Sequence, residues 1–144
     1  MIQLETKEQI QSYAESQLRK YDCLQLKGWT FRIGRTVSAV AIYRYDIRVI
    51  EFSCHFIGRM STEAIREAIH HEIAHVIAGH DAGHGKEWKD VMKGFGYEDA
   101  KRFIQVFSLP DPKYGLFRGE RMIESFYRKP RRKFHGADME LRVL

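Results

Sequence analysis

Residues 71–75 read His-Glu-Ile-Ala-His. On an α-helix, positions four apart differ by about 40° in direction and about 6 Å in rise, so two imidazoles at that spacing can meet one metal ion from the same face. Glu72 lies about 100° round from His71, near enough to reach a water at that metal without being a ligand itself. Two histidine ligands with an adjacent glutamate base form the zinc metalloprotease arrangement. With 7 His in 144 residues, such a pattern arises by chance about 0.03 times per chain of this composition, so its surroundings decide its meaning.

Those surroundings read as a helix. Ser61 suits an N-cap and Glu63 in the first turn suits the helix dipole. Ile65, Ile69, Ile73, Val76 and Ile77 make one apolar stripe. His71 and His75 point about 200° from Ile69 and Ile73, away from that stripe. Ala68, Ala74 and Ala78 leave room around the imidazoles. Gly79 and the run Gly83-His84-Gly85 end the helix.

A catalytic zinc needs a third protein ligand and one open position. His84 follows the glycine-rich turn and opens the next helix, so it can swing back over the end of the first, and it is the favoured third ligand. Asp81, His80 and Glu98 are the other candidates. Asp81 stands six residues after His75, but that protease pattern wants a glycine at position 78, where this chain has Ala78. Glu98 would suit a second-helix carboxylate, yet Tyr97 replaces the asparagine expected before it. The other histidines have plainer readings. His70 reads as a residue behind the ligands or an exposed one, and His55 and His135 as surface groups. Trp88 reads as packing beneath the metal, and Cys54 as a buried free thiol.

The rest of the chain frames this helix. Thr6 and Gln9 fit a capping box opening a helix over 6–21. Three β-like runs follow, at 29–33, 37–43 and 47–52, and their short links favour antiparallel pairing of the first pairs. After the motif, helices are expected over 86–94 and 98–107. Pro110 and Pro112 punctuate the start of a region over 113–144 that reads as a hairpin or extension.

The length suits one domain with a sizeable core. The formal net charge is +5, from 24 Lys+Arg against 19 Asp+Glu, and it is unevenly placed. Residues 1–112 carry 15 basic and 15 acidic side chains, whereas 113–144 carry 9 basic and 4 acidic. The catalytic part is therefore neutral, and attraction to a polyanion should come from the final 32 residues. Apolar stretches fall short of the ~18 residues a membrane span needs. No secretory signal is visible at the start. Two cysteines, Cys23 and Cys54, are too few for a disulfide scaffold, so reduced thiols in a cytoplasm are expected, a host's if the chain is virus- or phage-encoded.

The run from His71 to Trp88, HEIAHVIAGHDAGHGKEW, resembles the SprT-like metalloprotease domain, which includes Spartan-type proteases. The resemblance rests on H-E-x-x-H followed by H-G-x-x-W, met here by His71, Glu72, His75, His84, Gly85 and Trp88. Trp29, the N-terminal helix and the strand before the motif also fit, so it covers about residues 5–108. It implies a zincin-like α+β fold: an N-terminal helix, a small mostly antiparallel sheet, the motif helix, a second helix and a basic C-terminal extension. It implies one catalytic Zn²⁺ on His71, His75 and His84, with Glu72 as base, and, as for better-known members, cleavage of proteins bound or crosslinked to DNA. Many such proteins carry a C-terminal cysteine zinc ribbon, but this chain has no cysteine after Cys54. Arg128, Lys129, Arg131, Arg132 and Lys133 stand in that place among aromatic residues and are the expected nucleic-acid contacts.

The expectation is a peptidase domain over 1–112 and a basic extension over 113–144. It would act on a protein substrate, with DNA as partner and no membrane. Tyr97, Tyr114 or an arginine are candidates to stabilise the oxyanion. The competing readings are a DNA-binding module with a structural zinc and a protease indifferent to DNA.

Overall fold

The computed structural model describes residues 2–100, 111–126, 128–131 and 138–144. It divides into two compact units, Met1–Leu109 and Pro110–Leu144. Among the described residues, no helix is long and apolar enough to cross a membrane.

The first unit opens with helix α1, Lys7–Lys20. Its start is fixed by the capping box: Thr6 Oγ1 accepts from Gln9 N at 3.2 Å, and the Gln9 side chain accepts from Thr6 N at 3.1 Å. Three strands follow: β1 Thr30–Gly34, β2 Ala41–Arg44 and β3 Val49–Ser53. Their order is β1-β3-β2, with β1 and β3 parallel and β2 and β3 antiparallel. The expectation of antiparallel first pairs therefore fails for β1. The chain leaves β1, builds β2 at the far edge and returns through the middle, so β3 meets β1 running the same way. Being central, β3 is buried along its whole length. The run at 37–43 is strand only from Ala41 onward.

Phe31, Ile50 and Phe52 form the inner face of this sheet. They pack with Ile10 and Ala14 of α1 and with Ile65, Ile69, Ile73 and Val76 of the next helix. That helix is α2, Thr62–Ala78, capped by Ser61 Oγ, which accepts from Ala64 N at 3.1 Å. Gly79 ends it at φ 101°, a left-handed backbone that disfavours a side chain. Helix α3, Lys86–Gly94, then packs Trp88 and Met92 against Ala74 of α2. Residues 98–100 form no helix, and the remainder of the helix expected over 98–107 lies outside the described residues.

The outer face of the sheet carries a buried charge. Glu51 of β3 is held between Arg44 of β2 and Arg32 of β1, the latter at 3.4 Å. Gly34 makes this possible, because a Cβ there would overlap the Glu51 carboxylate. Burial alone would raise the carboxyl, but hydrogen bonds and charge from Arg44 and Arg32 outweigh it and hold the group below its ordinary 4.5. The sign follows: the stabilisation is in place above the unfolded carboxyl range and is lost as pH falls through the lower folded value. Glu51→Gln should therefore lower the urea midpoint near pH 7, and the variant should lose less than the wild type on acidification to near pH 3. Equal losses in both proteins would contradict the account.

The second unit is a three-stranded antiparallel sheet of order β5-β4-β6. Strands β4, Tyr114–Arg118, and β5, Arg121–Phe126, form the expected hairpin through Gly119-Glu120. Strand β6, Met139–Val143, pairs with the other edge of β4.

Candidate metal centre

Helix α2 presents His71 and His75 one turn apart, and both are buried. After Gly79 the chain makes a short 3₁₀ turn over His80–Ala82 and turns again at Gly83, with φ 56°. This return brings His84 back over α2. His84 Nε2 lies 3.0 Å from His71 Nε2 and 3.1 Å from His75 Nε2. Three nitrogens around a tetrahedral ion at about 2.0–2.1 Å would stand roughly 3.3 Å apart, close to the two separations from His84.

The chemistry of these atoms agrees with that spacing. Burial and the neighbouring imidazoles lower His71 to about 3 and His75 to about 4, so both are neutral near pH 7. Three Nε2 atoms facing one another cannot all be satisfied by shared protons, whereas one metal ion accepts a lone pair from each. Among the described residues, this trio is the cluster able to hold a metal. The other candidates stand apart from it. His80 and Asp81 are exposed on the 3₁₀ turn. Glu98 lines a separate cavity with Lys86, Lys89 and Lys93.

The rings are oriented by packing. Trp88 is fully buried and donates from Nε1 to the His71 carbonyl at 3.2 Å. Its ring meets those of His71, His75 and His84 at centroid distances of 4.7, 5.6 and 4.8 Å. Tyr43 of β2 stacks on His75 at 5.1 Å and 25°. The Nδ1 atoms of His71 and His75 are buried with no hydrogen-bond partner among the described residues, so aromatic walls do the orienting that outer hydrogen bonds often do.

Glu72 is 8% exposed and lies beside this trio. Burial pushes its carboxyl up to about 8. A carboxyl raised in this way can take a proton and later release it near neutral pH. Together with His71, His75 and His84 it lines a groove of about 1010 Å³. Residues 38–46 also line the groove, and they include strand β2 at the open edge of its sheet.

His70 is neither exposed nor directed at the trio. It is buried among Tyr13, Tyr21, Phe95 and Tyr97, and burial lowers it to about 4. Its Nε2 lies 2.9 Å from Gln17 Oε1 and its Nδ1 lies 2.8 Å from Tyr97 Oη. The Gln17 amide nitrogen is engaged with Ser16 Oγ, which leaves its oxygen facing His70. Nε2 therefore donates to Gln17, and Nδ1 accepts from Tyr97. This pins α1 and the segment after α3 to α2. It also removes Tyr97 from the groove and from the candidate oxyanion donors. Tyr97→Phe removes one hydrogen bond from this buried network, so it should cost about 0.5–1.5 kcal/mol of stability in a urea titration. Zinc affinity should be unchanged. An unaltered midpoint would contradict the network.

His55 and Cys54 are half-buried, so Cys54 is less enclosed than expected, and it takes no part in the cluster. Arg128, Lys129 and Arg131 are exposed, while Arg132, Lys133 and His135 lie outside the described residues. Sequence reasoning missed Tyr43 and weighed His80 only as a ligand; the meeting of the two depends on how the chain places β2 near the end of α2. Tyr43 Oη is 2.9 Å from His80 Nδ1.

No curated protein matches the chain. Among solved structures it is similar to the metallopeptidase zymogen jannalysin of Methanocaldococcus jannaschii, at 12% identity. That similarity covers 62% of this chain and 81% of the other, with a TM-score of 0.47. The SprT-like family model matches residues 7–106, which include the three histidines, Glu72 and Trp88, and the chain belongs to the SprT-like family.

Proposed function

We propose that the protein is a zinc-dependent endopeptidase, with His71, His75 and His84 as ligands and Glu72 as the base. The observation that carries this reading is the convergence of three imidazoles beside a buried carboxyl in the lining of one open groove. An all-nitrogen set of three with one side open suits zinc used catalytically, and a purely structural site has no need of an adjacent carboxyl. Zinc bound there supplies Lewis acidity toward a water and toward the scissile carbonyl. Glu72 takes the water's proton and delivers it to the leaving amine. The edge strand β2 along the groove offers main-chain donors and acceptors that an extended peptide can pair with, which favours a protein substrate.

The test is digestion of β-casein by the zinc-loaded protein with and without excess chelator. Cleavage lost with chelator and restored by zinc is expected. Cleavage indifferent to chelator would overturn the reading.

We further infer that residues 1–112 are the catalytic domain and that 113–144 is a basic extension drawing it to DNA-associated or DNA-crosslinked protein. Support comes from family membership and from the charge split, which puts the whole +5 in the last 32 residues. Arg128, Lys129, Arg131, Arg132 and Lys133 are the assigned contacts. The free thiols Cys23 and Cys54 suit a reducing compartment such as a cytoplasm. Single-stranded DNA should bind with a strong salt dependence that weakens when Arg128, Lys129 and Arg131 become alanine. DNA should speed cleavage of a DNA-bound protein. Cleavage at the same rate without DNA would leave a general protease, and DNA binding with no cleavage would leave a binding module.

A further inference from the structure

The peptidase reading names a base but no group for the carbonyl oxygen. The groove around the trio narrows the choice. Its lining includes the hydrogen-bond donors Ser38, Arg44, Tyr45, His80 and Tyr43. Arg44 is turned to Glu51 on the outer face of the sheet. Tyr45 lies against the exposed His80 ring at 5.2 Å and near Trp29 at 6.3 Å. Ser38 lies before strand β2, which starts at Ala41. Tyr43 differs from all of these. Its ring is stacked on His75, and its hydroxyl is held at 2.9 Å by His80 Nδ1.

Resting on the peptidase reading, we propose that Tyr43, held by His80, donates its phenolic hydrogen bond to the scissile carbonyl oxygen as that oxygen gains negative charge. The hydroxyl has one hydrogen and two lone pairs. His80 is exposed, so either ring nitrogen can carry its proton at little cost. With the proton on Nδ1, His80 donates to the Tyr43 oxygen and leaves the phenolic hydrogen for the groove. The same bond polarises the phenol and strengthens its donation. No covalent bond forms at Tyr43 and its proton stays on the phenol. His80 acts through Tyr43 and is a positioning residue. The stack on His75 fixes where the hydroxyl stands relative to the trio.

Tyr43→Phe keeps the stack and removes only the hydroxyl. Three measurements on the full zinc-loaded chain test it: β-casein cleavage, zinc affinity by chelator competition, and binding of a phosphinic analogue of Ala-Phe-Ala, whose tetrahedral oxygens mimic the charged carbonyl. The expected result is kcat lower by about 100-fold with KM nearly unchanged. The phosphinic peptide should bind more weakly and zinc affinity should stay at the wild-type value. His80→Ala should lower kcat by roughly 10-fold, again with KM held. Tyr97→Phe is the control for loss of a phenol outside the groove and should cleave at the wild-type rate. Full activity in Tyr43→Phe, or a loss traced to weaker zinc binding, overturns the role of Tyr43 alone, provided that the wild type cleaves and Glu72→Gln does not. A wild type that neither cleaves casein nor binds the phosphinic peptide overturns the peptidase reading, and this proposal with it.

Discussion

Glu72→Gln should leave one zinc bound per chain and remove peptide hydrolysis. Glutamine keeps the shape of the side chain in a pocket where Glu72 is only 8% exposed. It changes one property, the ability to accept and release a proton. A positioned acid–base group is worth about 10²–10⁴-fold in rate, and a loss at the upper end is expected because, among the described residues, no second buried carboxyl lines the groove. The fold should be unharmed. Burial already disfavours the charged form of Glu72, so a neutral amide removes a desolvation cost. Casein digestion reads the first effect and the zinc content of the dialysed protein reads the second. A variant that cleaves at the wild-type rate would remove Glu72 from the chemistry. A variant that loses zinc would make it a ligand.

His84→Ala should cut zinc affinity by on the order of 100-fold or more, since one of three protein donors is lost from a site whose total binding is of order 10 kcal/mol. His71 and His75 share one rigid helix and would remain aligned. His84 instead depends on the turn through Gly79 and Gly83, and among the described residues no neighbour stands ready to replace it. His80 is tied to Tyr43 and Asp81 is exposed. Competition with a chelator of known affinity measures the change. Affinity equal to the wild type would move the third ligand elsewhere.

The parts of this site that sit within one helix were legible in the sequence. The spacing of His71 and His75, the cap at Ser61 and the isoleucine stripe are local facts, and the structure places them on a single helix. The box at Thr6 is equally local. What escaped depends on contacts between distant segments. The parallel pairing of β1 with β3 is set by how the chain returns through the middle of the sheet, which no period of two can show. His70 read as a residue behind the ligands or an exposed one, and its buried network was missed because its partners, Gln17 and Tyr97, lie 53 and 27 residues away. Tyr43 read as one aromatic residue in a β-rich run, and only its position over His75 gives it a place in the site. The charge split between 1–112 and 113–144 was plain from counting, but counting does not say what the basic end touches.

The central claim is that three histidine nitrogens hold one zinc with a fourth position open. Zinc K-edge X-ray absorption on the full chain loaded with one equivalent of zinc tests it most directly. The account predicts three imidazole nitrogens at about 2.0–2.1 Å and one further light-atom donor, with no sulfur. A sulfur shell near ~2.3 Å, which would bring in Cys23 or Cys54, or a chain that retains no zinc, would contradict it.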